Sequence, residues 1–373
     1  MAFSIETLER NTLQKALREM NIETLSEVQA ECIPEILAGR NVRITAPTGS
    51  GKTLTYLLPL LDRMEIQKSG KHLPVLLILV PTRELALQTA DICRSCLKYT
   101  EGIRTAVLTG GVSIDAQIRS FRSGADIVIA TPARLLDHIR RHTFKPKQMR
   151  DVIIDEADRM AEMGFLEDVQ TVMRQLPPVR TVCLSATEDE RLEILAGEFF
   201  PDAVMHRIEE TSLLKQEFTF RILHLAPKDK NSAAYHILKE HRSSAVVFCN
   251  SRRTADSLTA WLQKRGIHAD VLHSEMDPAV RKKTMQKYRS GELPVIVATD
   301  VLSRGIDVAS TGLVLLYDLP ESLNDLIHRI GRTARASRKG LVWVLQTAKH
   351  SAVWEAYAES THPVYEEYEW NPK

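Results

Sequence analysis

The sequence predicts an α/β fold with two parallel β-sheets, and its apolar pattern is the first reason. Short, uninterrupted apolar segments alternate with longer amphipathic segments along nearly all of the 373 residues. Uninterrupted apolar segments are typical of strands covered on both faces, and the segments between them have helical periodicity. Such an alternation predicts β-α-β units. The apolar segments are 42–44, 76–80, 127–130, 152–154, 182–184, 246–249, 295–298 and 314–317.

A polar stretch interrupts this pattern near the middle of the chain, and two halves of similar rhythm flank it. The stretch contains Glu209–Ser212 and Lys215–Glu217. We therefore expect a first domain over residues 1–208, a linker over 209–216 and a second domain over 217–373. A chain of this length is long enough for two α/β domains.

The composition is that of a globular chain, with 44% hydrophobic and 26% charged residues and a net charge of +1. This balance excludes an extended polycation or polyanion, but it allows a local basic surface. A secretory signal and a membrane-spanning apolar run are absent from the sequence, and the five cysteines are scattered. We expect a cytoplasmic protein with free thiols, in which Cys93 and Cys96 pack in a helix core.

Polar residues follow nearly every apolar segment, which is the third observation behind the fold prediction. Parallel strands bring their carboxyl ends to one edge of a sheet, and ligands of open α/β sheets bind at that edge. The sequence therefore places candidate chemistry along the same edge of each sheet. The polar clusters are 81–83, 131–132, 155–156, 185–187, 250–252 and 299–300.

The segment Ala46–Thr53, Ala-Pro-Thr-Gly-Ser-Gly-Lys-Thr, has the properties of a phosphate-binding loop. It lies between an apolar segment and a helical pattern, and Gly49 and Gly51 allow backbone N–H groups to surround a phosphate chain. Lys52 would reach the β- and γ-phosphates, and the Thr53 hydroxyl would hold Mg²⁺. The sequence predicts a nucleoside-triphosphate site.

The second motif is Asp155–Asp158, Asp-Glu-Ala-Asp, directly after an apolar segment. In P-loop proteins an acidic residue at the end of a buried strand holds Mg²⁺, which is the role predicted for Asp155. Glu156 would orient or activate the attacking water. An isolated tetrapeptide of this kind would be read as a solvated turn, but its pairing with the loop favours a catalytic site.

These motifs, with others, resemble those of the DEAD-box RNA helicases. The resemblance extends from Phe3 to Arg335, about nine tenths of the chain. Ala334 and Arg338–Gly340 resemble the bacterial subgroup that includes the ribosome-assembly helicase SrmB, although the long basic tail of that subgroup is missing, which indicates a trimmed or minimal core. The family-like segments are Phe3 with 24–29, 46–53, 81–85, 110–111, 131–134, 185–187, 247–250, 298–307 and 328–335.

The resemblance implies two tandem RecA-like domains that bind ATP, Mg²⁺ and RNA in the cleft between them. Gln29 would bind the adenine edge and Asp307 the ribose. Arg332 and Arg335 lie three residues apart in a predicted helix, so both could act as arginine fingers on the γ-phosphate. The predicted catalytic residues are Lys52, Asp155, Glu156, Arg332 and Arg335, the Mg²⁺ ligands Thr53 and Asp155, and the nucleotide contacts Phe3, Gln29, Thr48, Gly49, Ser50, Gly51, Lys52, Thr53, Gly305 and Asp307.

The candidate RNA contacts are hydroxyls, guanidinium groups and backbone amides, which bind phosphate and ribose rather than base edges. We expect little sequence specificity and contacts to the 2′-hydroxyl. For each residue a helix cap or turn is an equally good reading. The candidates are Pro81, Thr82, Arg83, Gly110, Gly111, Thr131, Pro132, Arg134, Asn250, Arg281, Thr299 and Asp300, and the residues expected to couple the sites are Asp158, Ser185, Thr187 and His328.

The function implied by the resemblance is RNA-stimulated ATP hydrolysis by a monomer, coupled to closure of the cleft and local unwinding or remodelling of RNA duplexes. Ribosomal RNA or a pre-ribosomal particle is the expected partner, and no membrane is involved. Two alternatives stay open at this point. The first is an ATP-gated RNA clamp or scaffold with little unwinding, and the second is a DNA translocase.

Overall fold

The computed structural model divides into two compact units, Met1–Glu209 and Glu210–Lys373. The predicted linker over 209–216 lies outside the described residues, so the domain boundaries drawn from the sequence stay a prediction. The structure describes residues 4–47, 50–65, 72–122, 124–208, 218–241, 243–273, 275–299, 311–321, 323–333, 340–347, 351–361 and 363–371.

The first unit alternates helices and strands after a short 3₁₀ helix, and a second 3₁₀ helix precedes β5. In chain order its elements are α1 (Asn11–Glu19), α2 (Glu27–Leu37), β1 (Val42–Thr45), α3 (Lys52–Asp62), β2 (Leu76–Leu79), α4 (Arg83–Cys96), β3 (Thr105–Leu108), α5 (Ile114–Phe121), β4 (Ile127–Ala130), α6 (Pro132–Arg140), β5 (Asp151–Ile154), α7 (Ala157–Glu162), α8 (Leu166–Met173), β6 (Arg180–Ser185), α9 (Glu190–Phe199) and β7 (Val204–Arg207).

The strands of the first unit form one seven-stranded parallel sheet in the order β3-β4-β2-β5-β6-β1-β7. Both faces of the central strands are buried, because successive side chains point to opposite faces. In β2, Leu76 and Ile78 join one hydrophobic cluster, whereas Leu77 and Leu79 join the other. This double burial explains why β2 reads as an uninterrupted apolar segment.

The second unit repeats the pattern. In chain order its elements are β8 (Phe218–His224), α10 (Lys230–Glu240), β9 (Ala245–Phe248), α11 (Arg252–Gln263), β10 (Ala269–Leu272), α12 (Pro278–Arg289), β11 (Val295–Ala298), β12 (Leu313–Leu316), α13 (Leu323–Ile330), β13 (Gly340–Gln346), α14 (Ser351–Thr361) and β14 (Tyr365–Glu369).

The strands of the second unit also form a seven-stranded parallel sheet, in the order β10-β11-β9-β12-β13-β8-β14. In β9, Val246 and Phe248 face one hydrophobic cluster and Ala245 and Val247 the other. The two parallel sheets with flanking helices confirm the predicted α/β class. Within the described residues, none of the helices has the length and apolar character needed to span a membrane.

Candidate functional site

The strand order of the first sheet sorts the predicted site residues into two adjacent groups. The phosphate-binding loop follows β1, and Asp155 and Glu156 follow β5. The coupling candidates Ser185 and Thr187 lie at the end of β6 and just after it, and these strands are neighbours in the order β5-β6-β1. The RNA candidates follow β2, β3 and β4, which are neighbours in the order β3-β4-β2. Because all these strands are parallel, both groups lie along one edge of the sheet.

The phosphate-binding loop enters α3 at Lys52. Gly51 has φ of +95°, and a Cβ on it would lie 2.5 Å from Nε2 of Gln29, so only glycine fits this position. The Lys52 ammonium is buried and donates to the carbonyl oxygens of Ala46 and Ser185. Lys52 is therefore held at the loop by carbonyl groups next to β1 and at the end of β6. A bound phosphate would compete with these carbonyls for the hydrogen bonds that the ammonium donates.

Gln29 connects α2 to the same loop. Its amide oxygen accepts from the N–H of Ser26 at 3.0 Å, and its Nε2 donates to the carbonyl of Gly51 at 3.1 Å. The Ser26 hydroxyl donates to the carbonyl of Ser50 at 2.7 Å. The Gln29 amide has a second N–H and a second lone pair beyond these two hydrogen bonds, and the predicted contact with adenine would use them.

Asp155 directly follows β5 and is 3% exposed. Its carboxylate accepts from the Tyr56 hydroxyl at 2.9 Å and from the N–H of Glu156 at 3.0 Å. Burial raises the pKa of Asp155, while the Tyr56 hydrogen bond and the Lys52 charge oppose this rise.

The Tyr56 hydroxyl also neighbours the side chain of Thr53, the second proposed Mg²⁺ ligand. Tyr56 therefore brings the first turn of α3 to the carboxyl end of β5, where Asp155 lies. Mg²⁺ in nucleotide sites takes one or two protein oxygens and completes its shell with water and phosphates. The Thr53 hydroxyl and the Asp155 carboxylate, which both lie next to the Tyr56 hydroxyl, fit that set of ligands.

Glu156 has a strained backbone. It precedes α7 in the left-handed conformation, with φ of 53° and ψ of 50°. A non-glycine residue in this region costs of order 1–3 kcal/mol, and such strain clusters at functional sites. This left-handed conformation turns the chain between Asp155 and α7, the helix that carries Asp158.

Asp158 joins the Asp-Glu-Ala-Asp motif to the loop after β6. One of its carboxylate oxygens accepts from the N–H groups of Ala186 and Thr187, each at 2.9 Å, and from the Thr187 hydroxyl at 3.0 Å. The carbonyl of Ser185, the last residue of β6, accepts from the N–H of Ala46 at 3.1 Å. Asp158, Ser185 and Thr187 therefore form one connected group with the phosphate-binding loop.

Replacing Asp158 with alanine is expected to destabilise the first unit by about 1–3 kcal/mol, because two partly buried N–H groups lose their acceptor. All four tryptophans lie in the second unit, at 261, 343, 354 and 370. Urea unfolding followed by circular dichroism should shift, whereas the transition followed by tryptophan fluorescence should not. Asp115→Ala, an exposed position on α5, is the control and should change the free energy of unfolding by less than about 0.5 kcal/mol. Equal effects of both substitutions would contradict the coupling group.

Among the RNA candidates, two arginines hold the loop that follows β3. Arg83 donates to the carbonyl of Gly111 at 3.3 Å, and Arg134 donates to the carbonyl of Val112 at 2.8 Å. Gly111 has φ of +73°, and a Cβ there would lie 2.9 Å from the Arg83 guanidinium. A Cβ on Gly110 would have no atom within 4 Å among the described residues. The structure thus brings together the three predicted segments 81–85, 110–111 and 131–134.

Two buried polar residues behind this loop were missed in the sequence. Gln117 donates to the carbonyl of Thr109 at 2.8 Å and accepts from Arg134 at 3.0 Å. His138 contacts the same Gln117 oxygen at 3.2 Å, and burial lowers the pKa of His138. Polar residues on the buried faces of α5 and α6 were the signal that could have revealed them.

Some RNA candidates also have the structural roles that the sequence left open. Thr82 caps α4, since its hydroxyl accepts from the N–H of Leu85 at 3.2 Å. Thr131 precedes Pro132, the first residue of α6, and donates its N–H to the carbonyl of Leu108 at 3.1 Å. Pro81 is buried.

In the second unit, Asn250 and the buried Arg329 form a network at the ends of β9 and β12. Arg329 is 0% exposed and donates to the carbonyl of Asp318 at 2.7 Å and to the Asn250 amide oxygen at 2.9 Å. Asn250 in turn donates to the carbonyl of Leu319 at 2.8 Å. The Asn250 side chain is therefore engaged within its own unit, and the structural role of Arg329 was missed in the sequence.

The sequence predicts one helix that carries both Arg332 and Arg335, and this prediction is wrong for Arg332. α13 ends at Ile330, and Gly331, a poor helix former, follows it. The N–H of Arg332 donates to the carbonyl of Arg329 at 3.3 Å, and its carbonyl accepts from the N–H of Thr311 at 3.1 Å. Arg332 is 5% exposed. Its backbone is thus fixed by a turn and a bridge rather than by a helix.

The remaining candidates are less informative. Thr299 follows β11, is 8% exposed and donates its N–H to the carbonyl of Leu272 at 3.2 Å. Arg281 lies in the first turn of α12, and its N–H donates to the carbonyl of Asp277 at 2.9 Å. The side chain of His328, on α13, lies outside the described part of the chain, as do the residues Phe3, Thr48, Gly49, Asp300, Gly305, Asp307 and Arg335.

Two family models match the chain. The model described as DEAD/DEAH box helicase matches residues 26–195, and the model described as helicase conserved C-terminal domain matches residues 229–337. Together they cover about three quarters of the chain. Each model falls within one of the two compact units.

The chain is similar to the ATP-dependent RNA helicase DeaD of Haemophilus influenzae, with 39% identity over 86% of this chain and 52% of that protein. It is also similar to the RNA helicase CrhR of Synechocystis, with 36% identity over 85% of this chain and 64% of that protein. The chain therefore spans about half to two thirds of the length of these curated relatives. The assignment to the SrmB-like subgroup stays a prediction.

Solved structures agree with the fold. A DEAD box protein from Methanococcus jannaschii matches with a TM-score of 0.60 and 29% identity over 99% of this chain and 100% of that chain. Dbp5 from S. cerevisiae, bound to RNA and ADP BeF3, matches with a TM-score of 0.85 and 25% identity over 98% of this chain and 95% of that chain. The predicted tandem RecA-like architecture is confirmed by these neighbours. With its Asp-Glu-Ala-Asp motif at the end of β5 and both family models matched, the chain belongs to the DEAD-box helicase family.

Proposed function

We propose that this chain is an RNA helicase that couples RNA-stimulated ATP hydrolysis to local unwinding or remodelling of RNA duplexes. The observation that carries the proposal is the division of one sheet edge into neighbouring nucleotide and RNA groups. β5-β6-β1 positions Asp155 and Lys52, and β3-β4-β2 positions Arg83 and Arg134. The relatives named RNA helicases support the same activity.

In the proposed reaction, the loop N–H groups and Lys52 bind the phosphate chain of ATP, and Gln29 selects adenine. Thr53 and Asp155 would hold Mg²⁺, which would supply charge neutralisation at the phosphates of ATP. Glu156 orients the attacking water and receives its proton. The strained backbone at Glu156 supports this role, because it aims the side chain independently of α7.

The second unit completes the reaction in this proposal. Arg332 and Arg335 stabilise the charge on the transferring phosphate, and Asp307 with Gly305 binds the ribose. Binding of ATP and RNA to both units favours a closed arrangement, which bends the RNA strand and destabilises a short duplex. The group of Asp158, Ser185 and Thr187 links the nucleotide state to this closure, since it connects the phosphate-binding loop to the loop after β6.

The proposed RNA contacts are to phosphate and ribose, so we propose low sequence specificity and a preference for RNA over DNA. Ribosomal RNA or a pre-ribosomal particle is the proposed source of substrate. The proposed site of action is the cytoplasm, and the proposed active form is a monomer.

Steady-state ATP hydrolysis with and without single-stranded RNA tests the function. We expect stimulation by RNA, little stimulation by DNA of the same sequence, and faster turnover of ATP than of GTP. Lys52→Ala should reduce turnover by at least about 10²-fold, because it removes a charge-stabilising donor. RNA-independent turnover, or equal activation by DNA, would contradict the proposal. A long-lived RNA complex trapped by an ATP analogue, without duplex unwinding, would identify a clamp instead.

A further inference from the structure

Basic side chains surround the carboxyl end of α6, apart from the RNA candidates at the start of that helix. Six basic side chains of α5, α6 and the segment after α6 are exposed, and none of them makes an ion pair with a carboxylate among the residues that the structure describes. We name this surface the α5–α6 basic face, and its residues are Arg119, Arg122, Arg140, Arg141, Lys145 and Lys147.

Packing places these residues on a common surface. The rings of Phe121 on α5 and Phe144 after α6 are stacked, with centroids 6.5 Å apart. Gln117 on α5 also contacts His138 on α6 at 3.2 Å. These contacts hold the carboxyl ends of both helices together, so the basic residues at these ends lie in one region of the first unit.

A pocket of about 250 Å³ opens within this face. Arg122, His142 and Lys145 line it, and Leu73 and Ile118 supply an apolar wall. Acidic side chains are absent from its described lining. The neighbouring Asp126 is 1% exposed and hydrogen-bonded to His72 at 2.7 Å, so its charge faces inward. A cationic rim around an apolar wall suits a nucleotide, whose phosphates are anionic and whose base has an apolar face.

α6 relates this face to the proposed RNA edge. Thr131 and Arg134 lie at the start of α6, whereas Arg140 and Arg141 lie at and just beyond its end. The nine residues of α6 span about 13 Å. A bound strand that continues past the loop at Gly111 would reach the basic face after a few nucleotides.

We propose that the α5–α6 basic face is a second RNA-binding surface, which contacts the phosphate backbone of RNA outside the segment bound at the sheet edge. The proposal rests on the RNA binding proposed above. Unpaired, exposed basic groups bind polyanions by releasing counterions, so they add affinity for long RNA without adding sequence specificity. The face would therefore favour large, structured RNAs over short strands.

The test compares two variants of the full chain that each lose three charges. The variant R122Q/R141Q/K145Q removes charge from the face, and R18Q/R94Q/R174Q removes it from exposed positions on α1, on α4 and after α8. Affinity is measured against salt concentration with RNA strands of about 6 and about 30 nucleotides. For the long strand, we plot the logarithm of the association constant against the logarithm of the salt concentration. We expect the first variant to make this negative slope shallower by about 2, and the control to leave it unchanged.

Binding of the short strand and the ATP turnover that it stimulates should be unchanged in both variants, because the sheet edge is intact. A second face variant, R119Q/R140Q/K147Q, should give the same loss for long RNA. Equal slopes for face and control variants would overturn the proposal while leaving the proposed function intact. If the unmodified chain binds neither strand, the proposed function fails as well. Selective loss of binding to polyglutamate, with normal long-RNA binding, would assign the face to an acidic protein instead.

Discussion

Replacing Arg332 with alanine is expected to reduce RNA-stimulated ATP turnover by roughly 10³–10⁵-fold while ATP binding changes little, the range found for arginine fingers. The reason is that a guanidinium stabilises charge that develops only in the transition state. The Arg332 backbone is held by its own N–H and carbonyl, through Arg329 and Thr311, so an alanine keeps these contacts. Steady-state turnover and equilibrium binding of a fluorescent ATP analogue separate the two effects.

Arg329 provides the matched comparison, since it lies three residues earlier and is buried within the second unit. Arg329→Ala should shift the unfolding transition followed by tryptophan fluorescence, because buried acceptors lose a charged donor. Arg332→Lys should recover only part of the turnover, because lysine keeps the charge but lacks the planar fork. Near-normal turnover in Arg332→Ala would remove Arg332 from the proposed site.

Replacing Glu156 with glutamine is expected to reduce turnover by roughly 10²–10⁴-fold, the usual contribution of a general base. Glutamine has nearly the same shape, and it accepts the left-handed backbone at this position about as well as glutamate does. ATP affinity should therefore be kept, and ATP-dependent RNA binding should become longer-lived because hydrolysis no longer releases the strand. A single-turnover measurement with bound ATP isolates the chemical step.

Glu162→Gln is the control for this substitution. Glu162 ends α7, six residues beyond Glu156, and it pairs with Arg159. Arg159 is 4% exposed, but the amide oxygen of a glutamine at position 162 can still accept from its guanidinium, so turnover should change by no more than about twofold. Normal turnover in Glu156→Gln would exclude Glu156 as the residue that activates water.

Local features of the sequence were sufficient to predict a residue's role where that role depends on its neighbours in the chain. The uninterrupted segments at β2 and β4 predict buried strands because both of their faces meet helices. Strands with less burial were not found this way. β3 has a single buried residue, Leu108, and every residue of β14 is exposed, so neither has an apolar signature.

Some side chains that the sequence predicts as RNA contacts form hydrogen bonds within the protein. Asn250 reads as a polar residue after a strand, yet its amide is bound by Arg329 and Leu319 from distant parts of the chain. Arg83 and Arg134 read as RNA contacts, and both also hold the loop at Gly111 and Val112. Sequence spacing cannot reveal these partners, because they come from other strands and helices.

Short-range sequence patterns were sufficient to predict the α/β class, the family and the residue types at the carboxyl ends of the strands. Those properties follow from short-range patterns, namely apolar runs, glycine spacing and polar clusters. Which strand ends are neighbours could not be predicted in this way, because strand order depends on the crossovers between strands rather than on chain order. The same folding gave Asp158 its three donors from the loop after β6 and ended α13 before Arg332, since both arrangements depend on hydrogen bonds between segments that are remote in sequence.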